Sequence, residues 1–317
     1  MLPPLKMTRV AVETAWGGRD LEREPGIALP AAKKIGETWE LADHDAGMTS
    51  VEPPHGGTLR ALMEQHGAEV LGRAKPNDFG RFPLLFKFIH AAAPLSVQVH
   101  PGDAYAREHE GDAGKTEAWL ILHAEPGARV IAGFRAGVSE SEWRAKAATS
   151  EVEQLLASHE VRPLDVIFVP AGTVHSIGPG IVLAEVQQNS NVTYRLYDWG
   201  RVGRTLHVRQ ALDVARVEAH PGPLRQAAPA PNTSRELLHC ERFAMTLHSG
   251  GHGARPVGDV PRVFLTLRGS GVLHGASGAP LALRPGDTAL VPACQETYAI
   301  EAGPDALFLE GTPTELR

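Results

Sequence analysis

Asp165-Val166-Ile167-Phe168-Val169-Pro170-Ala171-Gly172-Thr173-Val174-His175 has an echo in the same chain, at Asp287-Thr288-Ala289-Leu290-Val291-Pro292-Ala293-Cys294-Gln295-Glu296-Thr297. Each copy is an aspartate, a four-residue run of strand length and a turn opened by proline. Two related β-barrels would leave this trace, and so would a chance match over so short a stretch. The copies differ at the last position, His175 against Thr297. On the first explanation, one barrel is equipped for chemistry and the other is stripped.

The rest of the chain fits a mainly β reading. Short apolar runs separated by turns cover 83–89, 96–99, 118–122, 129–132, 165–169, 181–187 and 193–197. Helical spacing is confined to 59–71, to 139–157 after a Ser-Glu-Ser-Glu start that resembles a capping box, and to 208–215. Around 220–234 the composition turns to proline and alanine, which suggests a linker. Beyond it, 244–248, 263–267, 271–274, 288–291 and 306–309 read as strands alone. The expected architecture is two barrels with a few helical insertions: a larger domain over 1–225 and a smaller one over 235–317.

Composition narrows the function classes. The 317 residues are 43% apolar and 21% charged, with 33 glycines and 25 prolines, as suits many short strands in an ordinary globular protein. A net charge of −6 without a lysine and arginine cluster argues against nucleic acid or an anionic membrane as partner. Cys240 and Cys294 have neither metal-ligand spacing nor disulfide density. No apolar run reaches transmembrane length and the N-terminus lacks a signal-peptide core, so the expected location is cytoplasmic.

The chemistry gathers around Ser96-Val97-Gln98-Val99-His100-Pro101. Period-two alternation puts Gln98 and His100 on one face and the two valines on the other. A polar edge strand facing solvent would show the same pattern. Pro170-x-Gly172-x-x-His175 supplies a second imidazole after a tight turn, and Glu117 in Gly114-Lys115-Thr116-Glu117-Ala118-Trp119 would complete a set of four ligands. One amide oxygen, two imidazoles and a carboxylate suit Zn²⁺ and could accept other divalent ions. Without thiolates, such a site reads as catalytic rather than structural.

At this point the chain resembles the class I mannose-6-phosphate isomerases of the short bacterial type, zinc enzymes of the cupin superfamily. The resemblance rests on Trp16-Gly17-Gly18, Gly36-Glu37-Thr38-Trp39-Glu40, Pro83–Lys87, Leu95–Pro101, Gly114–Trp119, Val169–Gly178, Leu183–Ser190 and Tyr194–Arg201, in that order. These segments end near residue 215, and the region after 234 matches only in general pattern. The resemblance implies a cupin (jelly-roll) fold and one Zn²⁺ per chain held by Gln98, His100, Glu117 and His175. It also implies a catalytic Arg195, a phosphate contact at Ser96 and Lys87, Lys115 beside the metal, and an acidic Glu185 lining the pocket. Two departures stand out: Gly114, where longer relatives often carry histidine, and Asn191, where many carry aspartate. No acid/base role transfers to either position.

The implied reaction interconverts mannose 6-phosphate and fructose 6-phosphate through an enediol(ate), with metal charge stabilising the developing anion. Arg195 cannot lose its proton and would orient an oxygen or add fixed charge. Lys115, whose ammonium form is disfavoured beside a dication, could relay protons, as could Glu185 or a bound water. Lys87 sits between Phe86 and Phe88, where burying its charge costs several kcal/mol unless a partner compensates. The rival expectations are another cupin metalloenzyme, either a dioxygenase or a differently selective sugar isomerase, and a non-catalytic sugar-binding cupin. The expected partner is a small sugar phosphate, with the chain a monomer or a homodimer.

Overall fold

A computed structural model describes residues 1–317. Two six-stranded antiparallel sheets pack face to face through the middle of the molecule, and a smaller sheet covers the outer face of each. In the first sandwich the six strands run in the order Val166–Val169, Glu117–Ala124, Ile181–Gln188, Leu84–Ala91, Ile35–Leu41, Val10–Gly18. Facing them are Leu156–Glu160, Arg129–Phe134, His175–Ile177, Val97–Val99 and Tyr194–Tyr197. The second sandwich sets six strands between Leu5–Met7 and Thr233–His239 against four: His252–Pro256, Thr297–Ala302, Gly271–Gly275 and Leu281–Leu283. The fold is mainly β and of the cupin type.

Strand parity explains how one sheet serves two cores. Along Leu84–Ala91 and Ile181–Gln188 every residue is buried. Leu84, Phe86, Phe88, Val182, Ala184 and Val186 point toward the second sandwich and join a cluster of 32 buried apolar residues with Phe243, Met245, Leu265 and Leu309. The alternate positions, Lys87, Ile89, Leu183 and Glu185, face the other way, into the first sandwich. The largest core therefore lies between the two units, a position that no local pattern in the sequence announces.

The eleven-residue echo has a common geometry. Asp165 Oδ2 accepts the Arg162 N–H at 2.9 Å, and Asp287 Oδ2 accepts the Arg284 N–H at 2.7 Å. Val166–Val169 and Thr288–Val291 then occupy matching strands, and each is followed by a turn closed onto its proline carbonyl. Gly172 closes the first turn with φ +88°, a left-handed conformation that favours glycine.

Elsewhere the structure departs from the expectations. The segment 139–157 is no single helix. Ser139 caps a helix over Glu140–Lys146 in a full capping box, Thr149 caps a 3₁₀ turn over Ser150–Leu155, and the chain then enters the strand Leu156–Glu160. Thr149 also bonds back to the Lys146 carbonyl, which takes an acceptor that a continuing helix would need. The helices at 59–71 and 208–215 form as Leu59–Leu71 and Val208–Val214. An unexpected helix covers Asp103–Glu110. Leu5–Met7 pairs with Thr288–Val291, so the N-terminal strand lies in the second sandwich although the sequence suggested one unit over 1–225.

Candidate active site

Gln98 is the middle residue of a three-residue strand that His175 pairs on one side and Arg195 on the other. One short strand thus places an amide, an imidazole and a guanidinium side by side on a single face. The Gly172 N–H bonds the His100 carbonyl at 2.8 Å, tying the turn before His175 to the end of that strand. Glu117 opens the adjacent strand of the facing sheet.

The ligating atoms of His100, Glu117 and His175 all lie within 4.8 Å of one another, and all three residues are buried. His175 Nε2 is 3.4 Å from Glu117 Oε1, and His100 Nε2 is 3.4 Å from Glu117 Oε2. His100 Nδ1 bonds the Val192 carbonyl at 2.8 Å, and His175 Nδ1 bonds the Thr173 carbonyl at 2.9 Å. A carbonyl only accepts, so each Nδ1 carries the proton and each Nε2 turns a lone pair toward Glu117. Burial pushes both imidazoles down, His100 to about 3, so both stay neutral as metal ligands must. Burial would raise the Glu117 carboxyl, but the neighbouring Lys115 charge overcomes it and holds it well below the usual range.

These groups fit a divalent cation. Glu117 Oε2 is buried and makes no hydrogen bond, although Lys115 Nζ lies 3.0 Å away. An ionised buried carboxylate whose two oxygens each face an imidazole lone pair suits a cation better than any neutral packing. Gln98 Nε2 lies 3.3 Å from His175 Nε2, while its Oε1 accepts from Ser96 Oγ at 3.1 Å. Turning that amide about its last bond would present the oxygen to the cluster. Lys115 Nζ is also 3.1 Å from His100 Nε2.

A second group of charges lies behind the cluster. Lys87 Nζ sits 3.2 Å from Glu37 Oε2 and 3.3 Å from Glu185 Oε1, and 5.1 Å from the centre of the Trp39 ring. Burial disfavours its ammonium, yet Glu37 and Glu185 push its pKa up. Burial would raise Glu37 too, but Lys87 and the Trp39 N–H hold it below the usual range. Glu185 goes the other way: burial and the neighbouring Glu117 charge push it up against the pull of Lys87. Its Oε2 accepts the Trp119 indole N–H at 3.0 Å, and that ring packs edge-on against His175. A Lys87 paired in this way has little charge left to offer a phosphate.

A cleft of about 590 Å³ opens over both groups. Ser96, Gln98, Lys115, Glu117, Glu185 and Arg195 reach it, while His100 and His175 lie beneath. Arg195 Nη1 bonds the Thr205 carbonyl at 3.0 Å, whereas its Nε is buried without a partner. The sequence reading missed several lining residues, Glu37 and Arg204 among them. Glu37 shares strand parity with Ile35 and Trp39 and could have been found that way. Arg204 sits in a polar loop without periodicity, 3.4 Å from Asp198 Oδ2, and no sequence signal marked it.

Residues 5–116 match the family model described as phosphomannose isomerase type I, catalytic domain. The chain is 39% identical over 224 residues to the mannose-6-phosphate isomerase of Streptococcus mutans serotype c, covering 68% of this chain and 69% of that protein. Its structure is similar to the crystal structure of the mannose 6-phosphate isomerase from Bacillus subtilis, with a TM-score of 0.87 and 30% identity over 98% of this chain and 99% of that one. A zinc-bound mannose 6-phosphate isomerase shares the fold, with a TM-score of 0.78 at 18% identity over 99% of this chain and 100% of that one.

Proposed function

The chain belongs to the type I phosphomannose isomerases, and from that premise we propose that it interconverts mannose 6-phosphate and fructose 6-phosphate in the cleft above Glu117. The observation that carries this reading is the buried Glu117 carboxylate, each of whose oxygens lies 3.4 Å from an imidazole Nε2 while the other nitrogen of that ring is locked to a carbonyl. His100, Glu117 and His175, with Gln98 through its oxygen, would hold one Zn²⁺ per chain. Bound there, zinc supplies Lewis-acid polarisation at the oxygens on the two reacting carbons.

The protein's own groups do the rest. Glu185 takes the proton from C2 of mannose 6-phosphate and returns it to C1. A carboxylate whose proton affinity burial has raised is suited to that work near neutral pH. Lys115 protonates O1 as it gains charge and takes back the proton of the C2 hydroxyl as C2 becomes the carbonyl, and Arg195 orients the same end of the sugar from the neighbouring strand. Ser96 Oγ and the Arg204 guanidinium take the phosphate, while Lys87 keeps Glu185 and Glu37 in place as their internal counter-charge. The apolar walls at Trp16, Leu95 and Ile177 exclude water from the reacting carbons.

The test is turnover of mannose 6-phosphate followed by fructose 6-phosphate formation, repeated after chelation and after adding back zinc. Loss on chelation and recovery with zinc are expected. Chelator-resistant turnover would overturn the metal assignment, and oxygen consumption in place of isomerisation would overturn the reaction.

A further inference from the structure

We propose that Arg242, carried by the second sandwich, sets the position of the loop bearing Lys115 and Glu117, acting through Asp103 and Gln188. The inference rests on the metal-site reading for its consequence but not for its geometry. The loop Gly114–Thr116 links the helix Asp103–Glu110 to the strand that Glu117 opens. Its three successive N–H groups are all engaged: Gly114 to Asp103 Oδ1 at 2.9 Å, Lys115 to the Pro101 carbonyl at 3.0 Å, and Thr116 to Gln188 Oε1 at 2.9 Å. Gln188 Nε2 in turn donates to Asp103 Oδ1 at 3.0 Å. Two of the three anchors are therefore side chains, and Asp103 joins them to each other.

The other oxygen of Asp103 faces the second sandwich. Arg242 Nη2 lies 2.6 Å from Asp103 Oδ2, in the turn between the strands Thr233–His239 and Phe243–Ser249. Arg242 is held from behind by Glu315, which also pairs with Lys75 at 2.8 Å. With Oδ2 fixed, Oδ1 is aimed at the loop. Without Arg242, the carboxylate would turn toward water and weaken the contacts of Oδ1 with Gly114 and Gln188.

Close packing makes this transmission direct. A Cβ on Gly114 would sit 2.4 Å from the Asp103 backbone nitrogen, so the loop lies against the first turn of the helix and moves with it. Thr116 also accepts the Ala171 N–H at 3.2 Å, which couples the same loop to the turn before His175. The Arg242 and Asp103 side chains remain 32% and 28% exposed, so their pair contributes little to global stability. Its effect should therefore be local. This makes Arg242, Asp103 and Gln188 positioning residues and gives the second sandwich a part in the first one's chemistry.

The decisive experiment measures amide hydrogen exchange at Gly114 and Thr116 in zinc-free Arg242→Met, alongside zinc release and steady-state kinetics of the loaded protein. Exchange should quicken at these two amides while the strands keep wild-type protection. Zinc release should accelerate and kcat fall about three- to tenfold, less than the roughly 10–100-fold typical of a group bonded directly to a metal ligand. KM should stay within about twofold, because no contact made equally by bound substrate and transition state is lost. Arg242→Lys should restore most of each effect, and Arg242→Met should add little in a Gln188→Ala background. Unchanged exchange at Gly114 and Thr116, or a loss of protection spread evenly over the chain, would overturn the proposal. The exchange result stands even if the protein turns over no sugar phosphate, so it separates this inference from the assigned reaction.

Discussion

Replacing Lys87 with methionine removes one buried positive charge from between two carboxylates, and its cost can be worked from the geometry. Lys87 Nζ lies 3.2 Å from Glu37 and 3.3 Å from Glu185, so each attraction is about 5 kcal/mol at an effective dielectric near 20. Losing both would exceed the stability of many domains, so the site relaxes by taking up a proton. Raising a carboxyl from its ordinary value of 4.5 to neutrality at pH 7 costs ~3.4 kcal/mol. Glu185 is the group to protonate, because burial and Glu117 already push it up, while Glu37 keeps the Trp39 N–H at 2.8 Å. The expected loss at pH 7 is therefore about 3–4 kcal/mol, in the range for breaking a buried ion pair from one side. In the variant Glu185 binds a proton when folded and releases it when unfolded, so the loss shrinks by ~1.4 kcal/mol for each unit the pH falls toward 5. Urea denaturation of both proteins in chelator, at pH 7 and at pH 6, reads this directly. Activity should drop with the protonation of Glu185 and recover at higher pH. A variant within about 1 kcal/mol of wild type at pH 7, or a loss identical at both pH values, would refute the charge-pair reasoning.

Glu185→Gln should lower kcat by about 10²–10⁴-fold with full zinc content and abolish solvent-deuterium incorporation into product, which mass spectrometry of the sugar phosphate will show. Ser96→Ala should mainly raise KM, and Arg204→Met should raise it by about ten- to a hundredfold, as the loss of one charge-assisted hydrogen bond implies, with zinc binding unchanged in both. In the second sandwich, burial pushes Glu310 up, but hydrogen bonds from His248 and the Arg262 charge hold it below its ordinary 4.5. Its contribution is present above that value and disappears as pH falls through the lower folded one. The stability advantage of wild type over Glu310→Gln in urea should therefore shrink progressively as pH falls below 4.5.

The residues that were legible in the sequence are those where strand period and turn chemistry coincide. Gln98 and His100 alternate with two valines, Pro170 and Gly172 build a turn that aims His175, and Glu117 opens an apolar strand. Lys87 was visible as a charge in an apolar run, but not its partners, because Glu37 lies fifty residues away. The helix Asp103–Glu110 was illegible for a different reason: it buries only Ala106, so it shows no apolar stripe. Leu5–Met7 is three residues long and pairs with Thr288–Val291 at the far end of the chain. The interface between the sandwiches shares strands with the site, so Phe86 and Phe88, visible in the sequence only as the apolar neighbours of Lys87, face the other unit.

The most direct test of the account is zinc content and mannose 6-phosphate turnover measured on the same preparations of wild type, His175→Ala and Gln98→Ala. Wild type should carry one zinc per chain and form fructose 6-phosphate, and both variants should lose metal and activity together. One zinc per chain without turnover, or turnover retained after His175→Ala, would contradict it.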